Sequence, residues 1–165
     1  VITKLFKEDR NFDPKRFIDI KDNEYQLKYV DNVPFVLVSQ KVWDRLAPGK
    51  PQPSQSYISL GKDAFALMVD TQFYNDKEYW ISHEVAHCKI AYGLMQPIPN
   101  FLGLEEGYPN NADERATFTY QFKQMLKDGI NKDQIMSIMK NAYSYNISNW
   151  YEYEEIFFKR LLDRI

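Results

Sequence analysis

The sequence predicts an α+β fold, with strands gathered before about residue 75 and helices after it. Three observations carry this reading. Tyr25–Val30 and Pro34–Val38 look like paired strands across an Asp31-Asn32 turn, and Ala64–Val69 is a further short apolar run. From Tyr79 onward apolar residues recur at helical rather than alternating spacing. Capping signals then punctuate the second half at the intervals that helices need.

In chain order, Asp13-Pro14 reads as an N-cap followed by Pro at the first helical position, opening a short helix through about Ile20. The hairpin follows, and Ser39 then caps a short helix that carries Val42, Trp43 and Leu46. The stretch from Ala47 to Gln55 holds Pro48, Pro51, Pro53 and Gly49, which remove donors and bend the backbone, so a surface loop is expected there. Tyr57–Leu60 and Ala64–Val69 form an expected hairpin around Gly61-Lys62-Asp63, the second strand leading directly into the next helix. Its edge is suited to hold an extended peptide by backbone pairing.

That next helix is expected to start under an Asn75 or Asp76 cap and to end at Gly93, with Pro97 and Pro99 beyond it. A loop rich in Gly and Pro runs on to Asn111. A loop of this length inside a compact domain is often functional, which places it near the mouth of a site. Ala112 to Asp128 is the next helix, closed by Gly129, and Asn131 with Gln134 is a capping-box pair that opens a helix to about Tyr143. Asn149 with Glu152 opens the last helix, whose Trp150, Tyr153, Phe157 and Leu161 form a stripe read as core.

The chain has 165 residues, enough for one domain with a substantial core, and the expected organisation is a single domain over 1–165. Its sheet-containing part covers about 1–75 and its helical part about 76–165. Hydrophobic residues make up 44% and aromatic residues 16%, which argues against a disordered chain. A formal charge of −2 supplies no basic field for nucleic acid and no cationic face for a membrane. Cys88 is the one cysteine, so no internal disulfide forms and the reducing cytosol is the expected compartment. Val1 stands where a methionine would begin a chain, which is compatible with a removed leader. Cys88 points about 100° away from His87 on a helix and is read as a small hydrophobe rather than a nucleophile.

The stretch with a specific chemical meaning is His83-Glu84-Val85-Ala86-His87, an H-E-x-x-H spacing. On an α-helix His83 and His87 lie about one turn apart, so their imidazoles converge on one metal ion while Glu84 projects beside them. Both histidines of the chain fall in this motif. Trp80, Glu84, His87, Cys88, Ala91, Leu94 and Met95 share one broad helix side with His83 at its edge. Imidazoles and a carboxylate on that apolar side are costly to bury unless paired or bound to metal. A zinc ion on two imidazoles and a carboxylate keeps a position for water, and Glu84 is the expected catalytic base.

No third histidine exists, and the metzincin continuation fails, with Ile90 at its glycine position and Gly93 at its last histidine position. The remaining ligand is sought among carboxylates, in Asn111-Ala112-Asp113-Glu114-Arg115-Ala116-Thr117. Here the chain resembles the gluzincin-like zincins, in which a second helix supplies an acid followed three residues later by a small residue. On that pattern Asp113 takes the ligand position and Ala116 the small one. Two departures stand out: an aspartate replaces the usual glutamate, and Thr117 replaces the usual Asp or Asn. Glu114 has the longer reach and lies nearer the face of Phe118 and Met125, so Asp113 and Glu114 both stay as candidates. Asn111 and Glu114 also read as a capping box. Glu105 and Glu106 are held in reserve.

The resemblance covers about Ala64 to Leu126. It implies a zincin-like fold, a small mostly antiparallel sheet packed against an active-site helix, and hydrolysis of a peptide bond in a protein or peptide substrate. One Zn²⁺ per chain is expected on His83, His87 and one of the two acids, with Tyr108 as a candidate oxyanion donor. No nucleic-acid or membrane partner is expected, and the oligomeric state is left open. The alternative is a non-catalytic zinc-binding or scaffold protein with a zincin-like fold. A structural site would normally be closed by four protein ligands, often Cys-rich, which this sequence does not offer.

Overall fold

The computed structural model describes residues 12–47, 55–58, 60–76, 79–143 and 151–165. It is an α+β arrangement of four strands and six α-helices among those residues. The chain divides into two compact units, Val1–Lys77 with His87–Met95, and Glu78–Ala86 with Gln96–Ile165.

The first unit is built on a sheet of β1 (Tyr25–Val30), β2 (Val33–Val38), β3 (Gln55–Ile58) and β4 (Phe65–Val69), in the order β1-β2-β4-β3. Asp31 and Asn32 have φ of 50° and 65°. Two successive left-handed residues make the tight turn whose twist matches that of the flanking strands, and the register runs from Val30↔Val33 to Tyr25↔Val38. Pro34 sits near the start of β2, where its missing N–H is tolerated because pairing with β4 begins at Phe35. The β2–β4 pair is parallel, whereas β1–β2 and β3–β4 are antiparallel. The sheet is therefore mixed, with two of its three pairings antiparallel as expected and the parallel β2–β4 pair as the departure. Every residue of β2 and β4 is buried, as strands covered on both faces require.

On one side of this sheet Phe12, Ile20, Val36, Val38, Trp43, Phe65, Leu67 and Val69 form a core cluster. Trp43 reaches it from α1 (Gln40–Leu46), whose N-cap Ser39 accepts from the Val42 N–H at 3.2 Å. Asp13 caps only a three-residue 3-10 turn, Pro14–Arg16, because the helical hydrogen bonding stops there rather than at Ile20. β4 does not lead directly into the motif helix either. A short helix, α2 (Asp70–Tyr74), intervenes, and Asn75 closes it by donating from its side-chain amide to Thr71 O at 3.0 Å. The loop expected over Ala47–Gln55 lies mostly outside the described residues, and β3 begins at Gln55.

The motif helix, α3, spans Trp80–Ala91. Its first amide bonds return to Tyr79, whose O accepts from His83 N at 3.1 Å and whose φ is 66°. Gly93 ends it at φ 81°, with Leu94 N–H to Lys89 O at 2.8 Å and Gly93 N–H to Ile90 O at 3.0 Å. That pair of bonds satisfies the last carbonyls and is the glycine-terminated cap expected at this position. His83 through Cys88 are buried without interruption, whereas Ile81, Ser82, Lys89 and Ile90 on either side are only partly buried. Beyond the cap the chain has left the helix, which is why Leu94 is exposed.

The second unit holds α4 (Ala112–Lys127), α5 (Lys132–Tyr143) and α6 (Tyr151–Asp163). Asn131 and Gln134 exchange side-chain and backbone bonds at 2.8 and 2.9 Å, a complete capping box for α5. Phe118 and Phe122 of α4 meet Phe157 and Phe158 of α6, with the Phe118–Phe158 centroids 5.0 Å apart. The stripe on α6 thus runs through Glu154, Phe157, Phe158, Leu161 and Leu162. Trp150 and Asn149 lie outside the described residues, as does the side chain of Tyr153.

The irregular stretch before α4 is held by Arg115, which is buried. Its Nε donates to Ile98 O at 2.8 Å, and its Nη1 donates to Asn110 Oδ1 at 2.8 Å and pairs with Glu106 at 3.1 Å. Asn110 in turn donates to Leu104 O and Glu105 O. Arg160 of α6 donates to Leu102 O at 2.7 Å. A long loop therefore keeps its backbone groups satisfied by side chains instead of by a ladder.

Candidate metal centre

His83 and His87 project from successive turns of α3, and Glu114 from the first turn of α4. One ligand atom from each lies within 4.8 Å of the others. The three residues keep only 5%, 6% and 7% of their surface exposed. His83 Nε2 and Glu114 Oε2 are 3.6 Å apart. Two ligands at ~2.0–2.1 Å from a tetrahedral ion stand about 3.4 Å from each other, so this spacing suits a common cation. Two imidazoles and a carboxylate are also a donor set that zinc accepts. The buried His83, His87 and Glu114 group could hold a metal ion.

Glu114 arrives there because of how α4 starts. Asn111 caps the helix by accepting from Glu114 N–H at 2.8 Å, while Asn111 N–H donates to Pro109 O at 2.9 Å. The cap thus has its acceptor without a returning glutamate, and the Glu114 carboxylate lies beside His83. Asp113, one position earlier, is half-buried and is not part of the cluster. Its side chain sits about 100° round the helix from Glu114, away from the face of Phe118 and Met125 that α4 buries. Thr117, which stands at the Asp or Asn position of the resemblance, is buried and donates its hydroxyl to Asp113 O at 2.7 Å.

His83 is fixed from three directions. Its Nδ1 is 2.8 Å from Gln121 Oε1, a contact that suits the tautomer with the proton on Nδ1, in which the Nε2 lone pair is left to bind an ion. Phe118 packs edge-on against the imidazole with centroids 4.6 Å apart, and Trp80 does so at 5.6 Å. Partners of this outer kind orient a ligand and set its tautomer. Glu84 is buried at 4% exposure within the same helix segment.

The reserve candidates are elsewhere. Glu105 and Glu106 are exposed and outside the cluster, Glu106 pairing instead with Arg115. Tyr108 is 60% exposed on the loop before α4. Sequence reasoning missed Gln121 and Glu154. Gln121 lies seven residues after Glu114, two helical turns along one face, a signal that was present but unspecific. Glu154 is buried in the apolar stripe of α6, and burial pushes its carboxyl up to about 7, with Glu114 adding to the effect.

Comparison with known protein families, curated proteins and solved structures finds no match to this chain. Among the described residues, no helix is long and apolar enough to cross a membrane.

Proposed function

We propose that the chain is a zinc-dependent metallopeptidase, gluzincin-like in its motif, that hydrolyses a peptide bond in a protein or peptide substrate. The observation that carries this reading is the buried convergence of His83, His87 and Glu114 around an H-E-x-x-H helix turn. His83 Nε2, an imidazole nitrogen of His87 and a Glu114 oxygen would hold the ion. Zinc in such a setting supplies Lewis acidity, acidifying water toward a pKa of ~7 and polarising a carbonyl. The Glu84 carboxylate accepts the proton of the attacking water and returns it to the leaving amine. Gln121 Oε1, 2.8 Å from His83 Nδ1, would hold that nitrogen's proton and so orient the imidazole toward an ion. Burial of the cluster keeps bulk water away from it.

Zinc content and cleavage of a labelled unfolded protein test this together. His83→Ala, His87→Ala and Glu114→Ala are expected to lose zinc. Asp113→Ala should retain it and cost only about 1 kcal/mol or less of stability, as a favourable charge at a helix start. Glu84→Gln should keep about one zinc per chain while losing hydrolysis. Zinc undiminished in both histidine variants, or a wild-type cleavage rate in Glu84→Gln, would sink the proposal.

A further inference from the structure

Tyr79 stands at the entrance of α3 in a conformation that most L-residues avoid. Its φ of 66° is left-handed, where the Cβ of a bulky aromatic residue crowds its own carbonyl. Strain of that kind persists only where surrounding contacts hold it, and it gathers at functional sites and switch regions. The contact here crosses 49 positions of sequence, the Tyr79 hydroxyl donating to Asp128 Oδ2 at 2.6 Å. Asp128 is a firm anchor. It ends α4 with its N–H shared between Gln124 O and Met125 O at 3.1 and 3.2 Å, and Gly129 N–H closes on Leu126 O behind it.

The strained residue also begins the helix. Tyr79 O accepts from His83 N–H at 3.1 Å, so the first backbone bond of α3 depends on where the Tyr79 peptide is held. A second bond joins the same turn to the same partner helix, His83 Nδ1 lying 2.8 Å from Gln121 Oε1. From Tyr79 forward to His83, the partner moves back from Asp128 to Gln121, about two turns toward the start of α4. The two bonds therefore brace the first turn of α3 along the last turns of α4, the helices running in opposite senses. We propose that Tyr79 is a strained latch. Its bond to Asp128 holds the start of α3 closed, and breaking that bond lets the Tyr79 backbone relax and the turn leading to His83 open while the rest of the fold stays intact. The device acts on the backbone of that turn and needs no ion to operate.

Amide hydrogen exchange of the full chain tests this, with Tyr79→Phe, Asp128→Ala, their double variant and Tyr79→Gly beside wild type. Alanine keeps the α4 cap, whose bonds come from the Asp128 backbone. Each single variant should speed exchange at the His83 amide about tenfold, the scale of one hydrogen bond to a charged group. The double variant should exchange no faster than either single one, because both remove the same bond. In low urea that amide should stay nearly insensitive to denaturant, since a one-turn opening exposes little surface, whereas the slowest core amides accelerate. Tyr79→Gly should exchange more slowly than Tyr79→Phe, because glycine takes the left-handed conformation without strain and needs no latch. A wild-type His83 rate in Tyr79→Phe overturns the inference, as does a roughly hundredfold gain in the double variant. It also fails if the His83 amide follows urea as the slowest core amides do, or if Tyr79→Gly exchanges faster than Tyr79→Phe, which would make the ring rather than the hydroxyl bond the support of the turn.

Discussion

Replacing Gln121 with leucine removes the acceptor that faces His83 Nδ1 at 2.8 Å while keeping nearly the same volume in a fully buried place. Two losses follow. The His83 N–H is left buried without this partner, which costs about 1–3 kcal/mol of stability. For a chain of this size that lowers the melting temperature by a few degrees. The imidazole is also freed to rotate or to move its proton to Nε2, the nitrogen that faces Glu114. Outer partners of metal-bound histidines are worth about 10–100-fold in affinity, or roughly 1.4–2.7 kcal/mol. Gln121→Leu should therefore weaken zinc by that factor in a chelator competition assay. Gln121→Glu should bind at least as tightly as wild type, because a carboxylate acceptor makes the ligand more basic. Zinc affinity within twofold of wild type in Gln121→Leu, with binding abolished in His83→Ala, would show that Gln121 does not set the tautomer.

Arg115→Met should destabilise the protein by about 3 kcal/mol in urea unfolding, since it strips charged hydrogen bonds from Ile98 O and Asn110 Oδ1. The loop before α4 should then become the first site of limited proteolysis, and unchanged cleavage sites would contradict the tethering role. Glu24 bonds to Arg45, which holds its carboxyl at about 2, well below the usual range. A carboxyl depressed in the folded state contributes stability that is present above its unfolded value of about 4.3 and lost as pH falls through about 2. Thermal melts from pH 5 to pH 2 should therefore show wild type losing an advantage over Glu24→Gln, and a constant difference would refute this.

The features legible in the sequence are those fixed within a few residues. The Asp31-Asn32 turn, the Ser39 and Asn131 caps and the Gly93 and Gly129 terminations each depend on one or two side chains acting on adjacent backbone. The histidine pair is legible for the same reason, its spacing being that of the helix itself. What was not legible depends on distant partners. Nothing local distinguishes parallel from antiparallel pairing of β2 with β4, and α2 is too short to show a period. Of Asp113 and Glu114, it is Glu114 that joins the histidine cluster, because it lies toward the face that α4 buries, a face that Phe118 and Met125 already marked. Glu154 was hidden because a charged residue inside an apolar stripe reads as solvent-facing until the packing around it is known.

The contacts around His83 also turn the centre into its own spectroscopic label. The imidazole lies against the edges and faces of Phe118 and Trp80, with centroids 4.6 and 5.6 Å away. Circulating π-electrons in those rings shift the resonances of nearby protons, so the His83 carbon-bound protons should fall away from random-coil positions. With only two histidines in the chain, the imidazole region of a proton NMR spectrum holds two residues, His83 and His87. A titration with a diamagnetic ion such as zinc would thus be read directly at the proposed ligands, without an isotope label or an introduced probe.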